Sequence, residues 1–200
     1  MIYVFLADGF EEVEAVAPID MLRRAGCEVI LGKVGEIGVN DGHALSSHDI
    51  TIHADRHIFV RADMLPSDID FEKFYNLKNL EMIVLPGGAV GVENLYNSET
   101  VKKIIDYCVG NTIPIGAICA APSILARMGY LKDIRATAYP TFRHYLTEGG
   151  AIVEEEKKVV TDGIFTTAAA AGVSLEFGLE LVRVLKGKEV SEKIAEQILL

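Results

Sequence analysis

Four times the chain sets a short apolar run, at residues 2–6, 28–31, 82–85 and 113–118, ahead of a Gly, Pro or Cys, and in most cases a helix-like pattern comes next. Apolar runs of strand length without polar alternation belong to strands buried on both faces. Strands of that kind with helices between them lie parallel, because each crossover returns the chain to the same end of the sheet. This repetition confines the chain to an α/β fold, a mostly parallel sheet with helices on both sides. Helices are expected over about residues 12–25, 98–109, 120–128, 141–147, 172–185 and 191–199, with Gly26, Gly110, Gly129 and Gly187 as C-terminal stops. Between residues 36 and 60 the pattern changes to alternation, Leu45, Ile50 and Ile52 standing among polar neighbours, which marks a small antiparallel excursion. Residues 55–71 read as a surface insertion. The mixed run Glu154-Glu155-Glu156-Lys157-Lys158 reads as a solvated turn between two strands.

The 200 residues are 50% hydrophobic and 24% charged, without linker, low-complexity tract or repeat, so one domain over residues 1–200 is expected. A formal charge of -10 argues against nucleic acid, which needs clustered Lys and Arg, and favours small-molecule or protein partners. The first six residues lack the basic flank of a signal peptide. The long uncharged stretch 107–126 is interrupted by Gly110-Asn111, Pro114, Gly116 and Pro122, so it reads as a helix end, a buried strand and a new helix rather than a membrane span. Three scattered cysteines form neither a CxxC pair nor an even disulfide set, so a reducing, cytoplasmic compartment is expected.

Open parallel sheets bind ligands at the carboxyl ends of their strands. Three segments reach that edge: Ala7-Asp8-Gly9-Phe10-Glu11-Glu12-Val13-Glu14, Pro86-Gly87-Gly88, and Cys119. In Gly116-Ala117-Ile118-Cys119-Ala120-Ala121-Pro122-Ser123 a strand runs straight into a helix between small residues, the pattern of a nucleophile elbow. The first N–H groups of the new helix favour a thiolate, so the Cys119 pKa is expected to fall from about 8.5 to between roughly 3.5 and 7.5. Cys27 and Cys108 have no elbow around them and read as buried structural thiols. Glu14, by its position alone, complements a helix dipole. Gly87-Gly88 allows close backbone approach but lacks the G-x-G-x-x-G spacing of a dinucleotide loop, so no cofactor is expected. His43, His48, His53 and His57 are spaced too irregularly for a zinc motif and read, with His144, as surface residues, leaving no metal site.

Taken with Leu175-Glu176-Phe177, these segments resemble the ThiJ/PfpI superfamily in its DJ-one-like subgroup. The resemblance covers nearly the whole chain and implies a flavodoxin-like three-layer sandwich, a homodimer, and Cys119 as nucleophile in an unusual backbone conformation. It implies that Glu14, protonated, hydrogen-bonds the thiolate or its sulfinic product, and that the N–H groups of Gly88 and Ala120 form an oxyanion-type pocket. Two departures stand out. Tyr139 replaces a histidine of close relatives; it is a poor general base, though its hydroxyl can orient substrate or water. Ala168-Ala169-Ala170-Ala171-Gly172 replaces a Ser-Arg-Gly-Pro-Gly segment. The resemblance implies a glutathione-independent glyoxalase or deglycase acting on small α-oxoaldehydes or glycated groups through a Cys119 hemithioacetal. The alternative is a redox sensor or chaperone using Cys119 sulfinic acid. A cysteine peptidase ranks third, because Ala120 stands where that branch has a histidine. A glutamine amidotransferase is excluded because Tyr145 and Leu146, not x-Glu, follow His144.

Overall fold

The computed structural model describes residues 1–35, 39–40, 43–44, 51–64 and 79–200. Its centre is a six-stranded sheet built from β1 (Ile2–Ala7), β2 (Val29–Val34), β7 (Met82–Leu85), β8 (Ile115–Ile118), β11 (Val159–Asp162) and β12 (Phe165–Ala168). The spatial order is β11-β12-β8-β7-β1-β2. Every pairing is parallel except the β11–β12 hairpin. Numbered along the chain, the five parallel strands lie in the order 2-1-3-4-5, the flavodoxin-like arrangement. The connection reverses direction between β1 and β7, so a crevice opens at their carboxyl ends.

Alternation of side chains through the sheet explains why both faces are covered. Tyr3 and Phe5 of β1 pack with Ile83, Leu85 and Ile115 against α2 (Ala89–Asn97), α3 (Glu99–Gly110) and α4 (Pro122–Arg127). Ile2, Val4 and Leu6 pack the other way with Met82 and Val84, against α1 (Glu12–Arg24) and α6 (Ser174–Lys186). Those two helices cross closely because residue 178 has no side chain: a Cβ there would lie 2.8 Å from Met21 Cγ and 2.9 Å from Pro18 Cα. The helix α5 (Arg143–Glu148) packs on α4, and α7 (Lys188–Gln197) on α6.

The excursion is antiparallel, as the alternation predicts. Its described parts are β3 (Val39–Asn40) with β4 (His43–Ala44), and β5 (Thr51–His53) with β6 (Phe59–Arg61). Ile52 is fully buried, whereas Leu45 and Ile50 lie outside the described residues. The insertion expected at 55–71 needs correction in its first half, where β6 closes a hairpin and residues 62–64 cover the edge of β2. There the Asp63 N–H donates to Leu31 O at 2.8 Å and the Lys33 N–H to Met64 O at 2.9 Å.

Other differences are local. The sequence gives no sign of α2, nor of the short parallel pair β9 (Arg135–Ala136) and β10 (Ile152–Val153). Gly110 lies within α3, and the reversal falls instead on Thr112, at φ 57°. The acidic-basic run does sit between two strands, β10 and β11. Among the described residues no helix is long and apolar enough to cross a membrane.

Candidate active site

Glu14, Gly87 and Cys119 approach the crevice from the ends of β1, β7 and β8. Cys119 has φ 65°, a left-handed conformation that an L-residue adopts at a cost of roughly 1–3 kcal/mol. Two hydrogen bonds hold it there. Its N–H donates to Ala168 O of β12 at 2.8 Å, and its carbonyl accepts from the Tyr139 N–H at 2.8 Å. Pro122 opens α4 in the first-turn position where its fixed φ suits the helix and its missing N–H costs nothing. Small residues permit this turn, since Ala117, Ala120 and Ala121 are all buried against the core.

Glu14 is placed by the start of α1. The Glu11 carboxylate accepts from the Glu14 N–H at 2.8 Å, capping the helix and fixing the third helical residue over the crevice. That side chain is 1% exposed. Its Oε2 is wholly buried without a well-formed hydrogen bond, although the Cys119 thiol and the N–H groups of Gly87 and Ala171 stand near enough to pull its pKa down. Burial outweighs them, and with some help from the Glu11 charge it pushes the carboxyl up to about 7. Residue 87 must be glycine for this meeting. A Cβ would collide with Glu14 Oε2 and lie 2.6 Å from Cys119 Cβ. Gly88, at φ 92°, caps α2 where a Cβ would strike the Gly9 carbonyl.

The expected lowering of the Cys119 pKa is not found. Burial is the largest influence and raises it, the Glu14 charge raises it further, and the N–H groups of Gly88 and Ala120 pull down without prevailing. Helix-end polarity is a short-range effect, and here it competes with desolvation and a carboxylate at contact. The sulfur and the carboxyl therefore behave as a coupled pair in which negative charge on one favours the proton on the other.

Tyr139 lies beside the elbow through its backbone bond to Cys119, with its side chain 43% exposed. Ala168 accepts the Cys119 N–H, and the Ala171 N–H faces Glu14, so the alanine segment forms one wall. Cys27 and Cys108 are buried; Cys119 is half-buried, and all three are free. Burial pushes the Cys108 thiol up to about 12. His144 Nδ1 lies 2.9 Å from Thr141 O and its ring stacks on Tyr145. The His53 ring meets Phe59 edge-on, and His57 sits exposed in a turn. The His43 side chain and His48 lie outside the described residues. Among the described residues no three His, Cys, Asp or Glu side chains gather to hold a metal. Sequence reasoning passed over Glu11, whose spacing to Glu14 is that of a capping box.

Three comparisons place this geometry. Protein DJ-1 homolog B of Arabidopsis thaliana is 32% identical over 200 residues, all of this chain but 41% of the plant protein's length. The glutathione-independent glyoxalase DJ-1 of Schizosaccharomyces pombe is 28% identical over 187 residues, 93% of this chain and 91% of the yeast protein. The structure of oxidized Toxoplasma gondii DJ-1 superimposes with a TM-score of 0.83 at 31% identity, covering 99% of this chain and 97% of that one. With the family's own pattern matched from residue 1 to residue 184, through all three segments that meet at Cys119, the chain belongs to the DJ-1/PfpI family.

Proposed function

We propose that this protein converts small α-oxoaldehydes to 2-hydroxy acids without glutathione, and releases the same groups from glycated thiols or amines. One observation carries the reading: a half-buried thiol at a left-handed elbow shares its surroundings with a buried carboxyl whose pKa rises to about 7. Such a carboxyl gives and takes a proton near neutral pH. The name of the Schizosaccharomyces pombe relative points to the same chemistry.

In this reading the Cys119 sulfur adds to the aldehyde carbon of R–CO–CHO. The new S–C bond displaces the carbonyl pair onto oxygen, which the N–H groups of Gly88 and Ala120 stabilise, and a proton completes the hemithioacetal. Glu14, as carboxylate, removes the proton from that carbon and returns it to the neighbouring one through an enediol, leaving a thioester. One water cleaves the thioester to the hydroxy acid and the free thiol. The sum is oxoaldehyde plus water, with no net oxidant. Tyr139, a poor base, serves to orient substrate or water.

The test is oxoaldehyde consumption and hydroxy-acid formation by the purified protein, with Cys119→Ala and Glu14→Gln. Both variants should lose at least about 100-fold in kcat/KM. Absence of turnover in the wild type would refute the proposal. A second reading, a redox sensor, rests on Cys119 being more accessible than Cys27 and Cys108 and on a relative solved in oxidized form. It predicts addition of two oxygens at Cys119 alone under mild peroxide, without turnover.

We also infer a homodimer formed through α1 and the β5–β6 hairpin. A groove of about 490 Å³ there is lined by Glu12, Val13, Val16, Ala17, Asp20 and Ile58. Val13, Val16 and Ile58 are 51–54% exposed, and Phe59 beside them 63%. A contiguous apolar face of this kind fits a second copy of the chain. Three free thiols fit a reducing compartment such as the cytoplasm.

A further inference from the structure

The oxoaldehyde reading leaves open what R is, and an inference about R rests on that reading. The aldehyde end of any substrate is fixed by Cys119 Sγ, so R must leave along the mouth of the crevice. Exposed apolar residues stand close in sequence to the segments that form it. Tyr139 is joined to Cys119 by a backbone hydrogen bond and is 43% exposed. Val90, two residues beyond Gly88, is 61% exposed, and Leu175, on the first turn of α6, is 39% exposed. The alanine segment 169–171, whose Ala171 N–H faces Glu14, is half-buried.

Charge points the same way. Among the described residues the largest influences on Cys119 and Glu14 include no cation, and the outside charge among those on Glu14 is the Glu11 carboxylate. An anionic R would meet the repulsion of that carboxylate, while Arg143, which donates to Ala138 O beside Tyr139, is engaged with Glu155 O. The Tyr139 side chain makes no hydrogen bond, ring contact or cation contact among the described residues, so its ring and hydroxyl are uncommitted. Exposed aromatic rings gain most from an aromatic or apolar partner laid against them.

We propose that Tyr139 is a specificity-determining residue whose ring forms the face on which R lies, and that the preferred substrates are neutral α-oxoaldehydes bearing an aryl or bulky apolar group. The replacement of histidine by tyrosine then changes which substrate is chosen.

The test compares kcat/KM for phenylglyoxal and methylglyoxal. The wild type should favour phenylglyoxal, and Tyr139→Ala should lower the phenylglyoxal-to-methylglyoxal ratio by about three- to tenfold, the range of one aromatic pair. Tyr139→Phe should keep the ratio, which assigns the effect to the ring rather than to the hydroxyl. A second measurement needs no turnover: the alkylation rate of Cys119, located by mass spectrometry, with phenacyl bromide, iodoacetamide and iodoacetate, each divided by its rate with free cysteine. The neutral aryl reagent should react fastest and the anion slowest, and Tyr139→Ala should erase the aryl advantage. If neither ratio moves in Tyr139→Ala, or if Tyr139→Phe behaves as Tyr139→Ala does, the proposal is overturned. If the wild type turns over no oxoaldehyde yet keeps the aryl preference in alkylation, the enzymatic reading fails and the apolar mouth stands.

Discussion

Replacing Glu14 by glutamine should make the protein more stable above neutral pH and not below pH 4.5. The carboxyl moves from an ordinary 4.5 to about 7 on folding, chiefly because it loses water. Below pH 4.5 it is protonated in both folded and unfolded chains, so it contributes no difference. Between 4.5 and about 7 the unfolded chain has released the proton and the folded chain has kept it, so stability falls as pH rises. Above about 7 the folded state carries the full cost, ~3 kcal/mol at about 1.4 kcal/mol per pH unit. Glutamine keeps the shape and cannot ionise. For a chain of 200 residues, unfolding entropy near 2.1 cal/mol/K per residue converts ~3 kcal/mol to roughly 7 °C in Tm. Thermal unfolding of wild type and Glu14→Gln, followed by circular dichroism from pH 4 to 8.5, should show curves that coincide at the acid end and separate by about that amount at pH 8. Adding Cys119→Ala to the wild-type background removes a contact that holds the Glu14 pKa down, so the window should move to higher pH. Parallel curves across the range, or a wild type that gains on the variant as pH rises, would refute the reasoning.

Three further outcomes follow from the same geometry. Cys119→Gly should be more stable than Cys119→Ala by about 1 kcal/mol in urea unfolding, the reverse of the usual order, because only glycine takes a left-handed conformation without strain. Gly87→Ala should leave the circular dichroism unchanged but slow Cys119 alkylation at least about tenfold, since the new methyl occupies the space where sulfur and carboxyl meet. Val16→Asp, which puts a charge in the groove on α1, should shift sedimentation equilibrium from dimer to monomer while Tm changes by less than about 3 °C.

The sheet was legible because its strands are apolar throughout, and the places where reading failed are those where burial contradicts residue type. The second apolar run ends at Leu31, yet β2 continues to Val34, because Lys33 is 2% exposed and donates to Thr51 O at 2.7 Å. A lysine in that position looks like an exit to solvent. β12 escapes a linear reading for a similar reason. Phe165-Thr166-Thr167-Ala168 is fully buried, and its hydroxyls find partners in Thr161 and the Thr137 N–H, neither of which a linear pattern displays. α2 begins directly after Pro-Gly-Gly and buries only Gly91, Val92 and Leu95, too few to form a clear helical stripe. At the site, the elbow was legible from the small residues around Cys119. The direction of its titration was not, because desolvation depends on how β1, β7 and β8 close over it.

The β5–β6 hairpin touches the loop before Glu14 at four points: the Gly9 N–H donates to His53 O, the His53 N–H to Asp8 Oδ1, the Asp55 N–H to Phe10 O, and the Arg56 N–H to Glu12 Oε1. A segment that looks ornamental in the fold thus serves as scaffolding for the acid. Shortening or grafting it in an engineered variant would loosen Glu14 while leaving Cys119 firmly in place, so turns elsewhere on the surface are the safer sites for fusion or insertion.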